Sequence, residues 1–268
     1  MKHFGLIGYP LVHSFSPAYF KEKFQREGLA DYRYEAFPLS SIDLLPNLLA
    51  QHPDLCGFNV TVPYKEQIIP FLNEIDEAAC EIGAVNCVVI QRESDSSEKQ
   101  YLLKGYNTDA PAFEQCLKAG WQLPDKALVF GTGGAAKAVA YALHRLSIDF
   151  YFVSRNKVKE QTLTYHDLEH HPNFHNIQNN NLLDNKNLLK DYKLWINTTP
   201  VGMFPKIEES LPIDFSVIGS EHYLFDLIYN PEETVFLRQG RLRGAHTKNG
   251  LAMLHEQAEL SWEIFKGQ

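Results

Sequence analysis

The chain has 268 residues, of which 44% are apolar and 22% charged, and carries a formal net charge of −8 at neutral pH. This length allows one large or two modest domains, and the composition is that of an ordinary globular protein. The acidic balance argues against a nucleic-acid surface, no apolar run is long enough to span a bilayer, and the start MKHFGLIGYP lacks the apolar core of a signal peptide, so a cytoplasmic protein is expected. Cys56, Cys80, Cys87 and Cys116 show no C-x-x-C spacing and read as free thiols. His166, His170, His171 and His175 lie among Asn, Asp and Glu and read as solvated surface, so no metal is expected.

In chain order, residues 4–8 read as a short apolar strand ending in Tyr9-Pro10. Ser16 and Pro17 then open a helix that runs to Glu27 and stops at Gly28. Residues 32–38 alternate as a strand, 42–50 are helical behind Ser40 or Ser41, and 55–62 form a strand broken by Pro63. A short helix is expected over 75–81, and a strand pair over 84–91 and 101–106 flanks the polar loop 92–100. A linking helix over 108–119 marks the domain boundary. Beyond it the pattern alternates: strands at 127–130, 149–154, 192–197 and 223–228, a polar helical stretch after 154, a helix over 231–240 with Pro231 at its start, and a last strand at 242–246. Such alternation implies a parallel sheet covered on both faces. Residues 251–265 have the apolar spacing of an amphipathic helix.

The stretch ALVFGTGGAA, residues 127–136, runs from strand through a glycine-rich turn into a helix and fits G-x-G-x-x-G/A. Gly131 permits the tight turn, Gly133 a close approach of pyrophosphate, and Ala136 close helix–strand packing. Thr132, Gly134 and Ala135 complete the loop, and the helix N-terminus favours phosphate. An NAD enzyme would place an acid about twenty residues on. Here the next strand ends Ser154-Arg155-Asn156-Lys157 with Lys159 close by, a group suited to a 2′-phosphate, so NADP is expected over NAD.

Two α/β units imply a cleft, with ligand groups at the carboxyl ends of strands. Ser14 and Ser16 follow the first strand and can hold a carboxylate, although Ser16 also serves as a helix cap. Asn59 and Thr61 are two apart and share one face of a strand. Lys65 follows at the strand's end, where lost hydration favours the neutral form needed in proton transfer. Asn86 ends the core of a later strand, and Asp109 is the carboxylate placed to pair with Lys65, or otherwise a first-turn acid of its helix.

Taken together, these segments resemble the shikimate dehydrogenase family over nearly the whole chain. GYPLVHSFSP, NVTVPYKE, GAVNC, NTDA, GTGGAA, INTTPVGM, DLIYNP and NGLAMLHEQA follow one another in the family's order. The resemblance implies an N-terminal α/β substrate domain over 1–108, a Rossmann-type NADP-binding domain over 109–249, and a final helix, 250–268, packed back on the first domain. It implies a small-molecule substrate, shikimate or 3-dehydroshikimate, in a monomer or homodimer without nucleic-acid or membrane partners. Ser14 and Ser16 would bind its carboxylate, Asn59, Thr61, Lys65, Asn86, Asp109 and Gln257 its hydroxyls, and Tyr229 would lie beside it. Lys65 and Asp109 would be the catalytic pair. Gly250 and Met253 would border the nicotinamide, and Thr198, Thr199 and Pro200 would join the cofactor loop. Ala110, Thr132 and Asn249 depart from the family's usual residues. A quinate/shikimate dehydrogenase using NAD and a non-catalytic NADP-binding sensor stay open as alternatives.

Overall fold

The computed structural model describes residues 2–12, 14–92, 101–119, 122–157, 161–170 and 188–267. They form two compact units, Met1–Ala112 with Glu256–Gln268, and Phe113–His255. The division falls inside the linking helix rather than before it, and the last helix rejoins the first unit at Glu256 rather than at residue 250.

The first unit contains β1 (Lys2–Gly8), α1 (Phe15–Arg26), β2 (Tyr32–Pro38), α2 (Leu45–Gln51), β3 (Leu55–Val60), β4 (Glu74–Ile75), α3 (Glu77–Ile82), β5 (Cys87–Arg92) and β6 (Tyr101–Tyr106). The helix α4 (Asp109–Lys118) follows. The sheet order is β2-β1-β3-β5-β6-β4. The pairings β1·β2 and β1·β3 are parallel, whereas β3·β5 and β5·β6 are antiparallel. Six of the seven residues of β1 are buried, as expected of a strand covered on both faces. Ile7 joins Phe37, Leu45 and Phe58 on one side, and Phe4 and Leu6 join Phe20, Phe24 and Trp262 on the other.

Several local expectations shift. Ser14, not Ser16, is the N-cap residue of α1, and Ser16 lies buried in the helix's first turn. The segment 42–51 starts as a 3-10 turn, Ile42–Leu44, in which Ser41 accepts from the amide of Asp43, and only then becomes α2. Strand β3 ends at Val60 because the amide of Tyr64 turns back to the carbonyl of Thr61. Asp76 caps α3, leaving Ile75 to pair in a short strand.

The second unit contains β7 (Lys126–Phe130), α5 (Gly134–Arg145), β8 (Asp149–Ser154), β9 (Thr162–Thr164), α6 (Tyr165–His170), α7 (Leu188–Asp191), β10 (Leu194–Asn197), β11 (Tyr223–Asp226), α8 (Val235–Arg241) and β12 (His246–Lys248). Helix α9 (Leu251–Lys266) begins in this unit and ends in the first. All pairings in the second sheet are parallel, in the order β12-β11-β10-β7-β8-β9. Numbered from β7, that is 3-2-1-4-5-6 read from the other edge, the order of doubly wound dinucleotide-binding sheets. The polar stretch after β8 forms β9 before it becomes helical. Helix α8 starts at Val235 behind the hydroxyl of Thr234, rather than at Pro231. The last strand is His246–Lys248 rather than 242–246, since Gly244 and Ala245 turn back onto the end of α8.

Asp226 braces the carboxyl ends of β10 and β11. One of its oxygens accepts from Asn197 Nδ2 and the amide of Ile228, both at 3.0 Å, and the other from Thr234 Oγ1 at 2.6 Å. Burial pushes this carboxyl up to about 6, against hydrogen bonds that lower it.

Trp262 is 2% exposed and packs at 5.2 Å from Phe24 and edge-on to Phe4 and Tyr32. Trp262→Ala is expected to destabilise the first unit by about 3–5 kcal/mol, measured by urea unfolding. The raised carboxyl of Asp226 keeps its proton in the folded chain between about pH 4 and 6, where the unfolded chain has lost it, so its contribution to stability falls as pH rises through that window. The stability of wild type relative to Asp226→Asn should drop by about 2 kcal/mol from pH 4 to pH 7, read from paired urea curves.

Candidate active site

In the first unit the backbone positions the chemistry before any side chain is considered. The turn after β3 is anchored by Tyr64, 3% exposed, whose hydroxyl donates to the carbonyl of Leu39 at 2.6 Å. The next residue, Lys65, is held through its own carbonyl by the amide of Val85 at 2.7 Å. Asn86 is fixed between two strands: its amide donates to Tyr106 O at 3.0 Å, and its carbonyl accepts from the Val60 amide at 2.8 Å. Asn107 caps α4 by accepting from the Ala110 amide at 3.0 Å, while its Nδ2 donates to Ala84 O at 2.9 Å. With that cap supplied, the Asp109 side chain serves a different purpose.

Lys65 Nζ donates to Asp109 Oδ2 at 2.6 Å, and Asn86 Nδ2 donates to Asp109 Oδ1 at 2.9 Å. The side chains of Lys65 and Asp109 are 18% and 8% exposed, a pair largely withdrawn from water yet open on one side. Asn86 is oriented twice by Thr108, whose amide donates to Oδ1 at 2.7 Å and whose hydroxyl accepts from Nδ2 at 2.9 Å. Asn59 is 5% exposed; its Nδ2 donates to Asn86 O at 3.1 Å and to Ser261 Oγ at 2.8 Å, and its Oδ1 accepts from Tyr34 OH at 2.8 Å. Both amide protons of Asn59 therefore serve the protein, not an open face. Ser16 is buried with its hydroxyl against that of Tyr34, and Ser14 is half-buried just ahead of it. Thr61 and Gln257 are half-buried in the same unit.

Tyr34, Thr108 and Ser261 had no part in the expected site. Ser261 left a signal: it stands with Ala258, Trp262 and Phe265 at helical spacing, a polar side chain in an apolar stripe. Tyr34, in a strand, and Thr108, in the N-T-D run, left none that separates them from packing residues.

In the second unit the glycine-rich turn sits where the strand order reverses. Gly131 has φ +114°, and a Cβ there would overlap Thr198 Oγ1. The Thr198 hydroxyl donates to Phe130 O at 2.7 Å, so loop and Thr-Thr-Pro segment lie against each other. Thr199 is held by its hydroxyl on Asn197 Oδ1 at 2.7 Å, with Pro200 following. Gly133 is the exposed N-cap of α5 and no side chain caps that helix, so Gly134 and Ala135 begin it with open amides; Thr132 is half-buried. Ser154 ends β8 half-buried, Arg155 and Asn156 are exposed beside it, and Lys159 lies outside the described residues. Gly250 donates to Ile228 O at 3.0 Å, and any Cβ there would collide with Leu227 O. Met253, 6% exposed, lies one turn on, and burial raises the half-buried Tyr229 hydroxyl above its usual range.

His3, His52 and Asp54 gather metal-type donors at the other end of β1. A guanidinium already serves that position: Arg33 Nη2 lies 2.9 Å from His3 Nδ1 and 2.6 Å from Asp54 Oδ2. Among the described residues no helix is long and apolar enough to cross a membrane.

Residues 6–88 match the family model of the shikimate dehydrogenase substrate binding domain. A protein of Methanosphaera stadtmanae named shikimate dehydrogenase (NADP(+)) is 38% identical, over 98% of this chain and 91% of its own. The crystal structure of shikimate dehydrogenase 1 from Peptoclostridium difficile is 34% identical with a TM-score of 0.80, covering 100% of this chain and 92% of that one. Shikimate 5-dehydrogenase from Thermus thermophilus, solved in complex with NADP(H) and shikimate, is 30% identical with a TM-score of 0.78, covering 100% and 94%. With this identity along nearly its full length, the chain belongs to the shikimate dehydrogenase family.

Proposed function

We propose that the protein interconverts 3-dehydroshikimate and shikimate with NADPH and NADP, the first unit taking the substrate and the second the nucleotide. The observation that carries this reading is the 2.6 Å Lys65–Asp109 pair, partly open and braced by Asn86. A chain that only bound a ligand would have no use for a proton donor held in this way.

The second unit fits a dinucleotide. Gly131 leaves no room for a side chain, the Cβ position of Gly133 has nothing within 4 Å, and the amides opening α5 carry no side-chain cap. Gly131–Ala135 and Thr198–Pro200 would hold the pyrophosphate side. Ser154, Arg155 and Asn156 would hold the 2′-phosphate, and Gly250 and Met253 would flank the ring. When bound, the nicotinamide supplies the hydride.

The remaining steps belong to this chain. Ser14 and Ser16 anchor the substrate carboxylate by hydroxyl groups. Thr61, Asn86, Asp109 and Gln257 orient the ring hydroxyls, with Tyr229 alongside and Asn59 acting through Asn86. Lys65 gives a proton to the C3 oxygen as charge develops there, and takes it back in the oxidative direction. As a cation next to that oxygen it also stabilises the developing alkoxide. Asp109 holds the ammonium in place and accepts from the substrate.

Purified protein with shikimate and NADP should raise nicotinamide absorbance, and a side-by-side assay of shikimate and quinate with NADP and NAD should favour shikimate with NADP. Lys65→Ala should lower kcat by about 10²–10⁴-fold with shikimate binding retained in calorimetry. No turnover by wild type with either acid would refute the activity, and near-normal turnover by Lys65→Ala would refute the role of that residue. Arg155→Ala should raise KM for NADP by about tenfold or more while leaving KM for NAD nearly unchanged.

A further inference from the structure

The hydrogen bonds around Asp109 converge on a residue 152 positions further along the chain, Ser261 of α9, which is fully buried. Its hydroxyl donates to Gln257 O at 2.8 Å, and a carbonyl can only accept, so the single hydroxyl proton is committed there. Its two lone pairs then receive Asn59 Nδ2 at 2.8 Å and the Thr108 hydroxyl at 3.1 Å. That fixes the direction of every later bond. With its proton on Ser261, Thr108 must accept from Asn86, and the second proton of that amide is left for Asp109. On the other side Asn59 accepts from Tyr34, a phenol that burial holds well above its usual range and so keeps as a donor. The thiol of Cys87, pushed up to about 12 by burial, borders the same hydroxyl as a neutral group.

We propose that Ser261 is a positioning residue for the Lys65–Asp109 pair: its hydroxyl sets the orientation of Thr108 and Asn59, and through them of Asn86 and the Asp109 carboxylate. The inference rests on the proton-transfer role given to Lys65 and Asp109 above. Removing the hydroxyl leaves the Thr108 proton and one Asn59 proton without an acceptor in a site closed to water. Thr108 then rotates, and the amide of Asn86 loses its fixed claim on Asp109.

A control separates this role from simple docking of the helix. Glu259 lies two residues away on α9 and binds Lys23 Nζ at 2.7 Å and the hydroxyl of Tyr19, so Glu259→Gln loosens the helix without touching the chain of hydrogen bonds. Ser261→Ala should lower kcat for shikimate oxidation by about 10- to 100-fold with KM changed less than about threefold, and should displace the pH–kcat profile. Glu259→Gln should lower the unfolding midpoint but keep wild-type kcat and pH profile. Wild-type kcat in Ser261→Ala, or equal losses of kcat in both variants, overturns the proposal. A second measurement does not depend on activity: solvent exchange of the Asn86 side-chain amide, followed by NMR, should quicken at least about tenfold in Ser261→Ala alone. If wild type turns over none of the tested acids, the activity reading falls while this exchange still decides the network, unchanged exchange overturning it.

Discussion

Asp109 is a carboxylate with 8% of its side chain exposed, and three segments of the first unit converge on it. An unpaired carboxylate at that depth would cost several kcal/mol. Lys65 and the amide of Asn86 supply the compensation, one on each oxygen. Bringing these partners together requires three chain segments side by side, the ends of β3 and β6 and the start of β5. The antiparallel pairings achieve it, with Asn59 opposite Cys87 and Cys87 opposite Tyr106 in adjacent ladders. In a purely parallel sheet the start of β5 would lie at the opposite edge from the ends of β3 and β6.

The second unit solves a different problem with different means. Its glycine-rich loop offers backbone and leaves side chains out. The demand for close approach falls on Gly131, where a Cβ would meet Thr198, and on Gly250, where it would meet Leu227. The neighbouring ends of β10 and β11 are tied by Asp226, which spends its oxygens on Asn197, Ile228 and Thr234. One unit thus buries an ion pair between its strand ends, and the other a carboxyl that ties two strand ends together.

Much of this was legible in the residues. The parallel strands are short apolar runs, and Tyr32–Pro38 and Asp149–Ser154 stand where alternation and burial place them. The glycine turn, Lys65 and Asp109 were visible because each follows the end of a strand, whereas Asn86, expected to end the core of one, stands just ahead of β5. What escaped was of two kinds. Local boundaries moved wherever a cap competed with a proline or a serine, as at Thr234 over Pro231 and Ser14 over Ser16, since a backbone amide is satisfied by geometry that spacing does not reveal. The inner layer of the site escaped because Tyr34, Thr108 and Ser261 meet only in three dimensions, across more than 200 residues of sequence. A buried serine in an apolar stripe was the one clue, and its meaning depends on two partners that the stripe does not name.

The pairing of Phe4 with Phe265, whose rings stack at 4.6 Å, has a consequence for how the molecule is made. Synthesis delivers β1 first and α9 after the whole second sheet. The earlier unit therefore waits, with one face of β1 covered only in part by Phe20 and Phe24 of α1, while the later unit already has the described strands of its sheet by Lys248. Domains ordinarily complete in the order they emerge, but here the first unit takes its last helix from the end of the chain. The hydrogen-bonded layer beneath Asn59 and Thr108 closes only when Ser261, translated after the whole second sheet, has arrived.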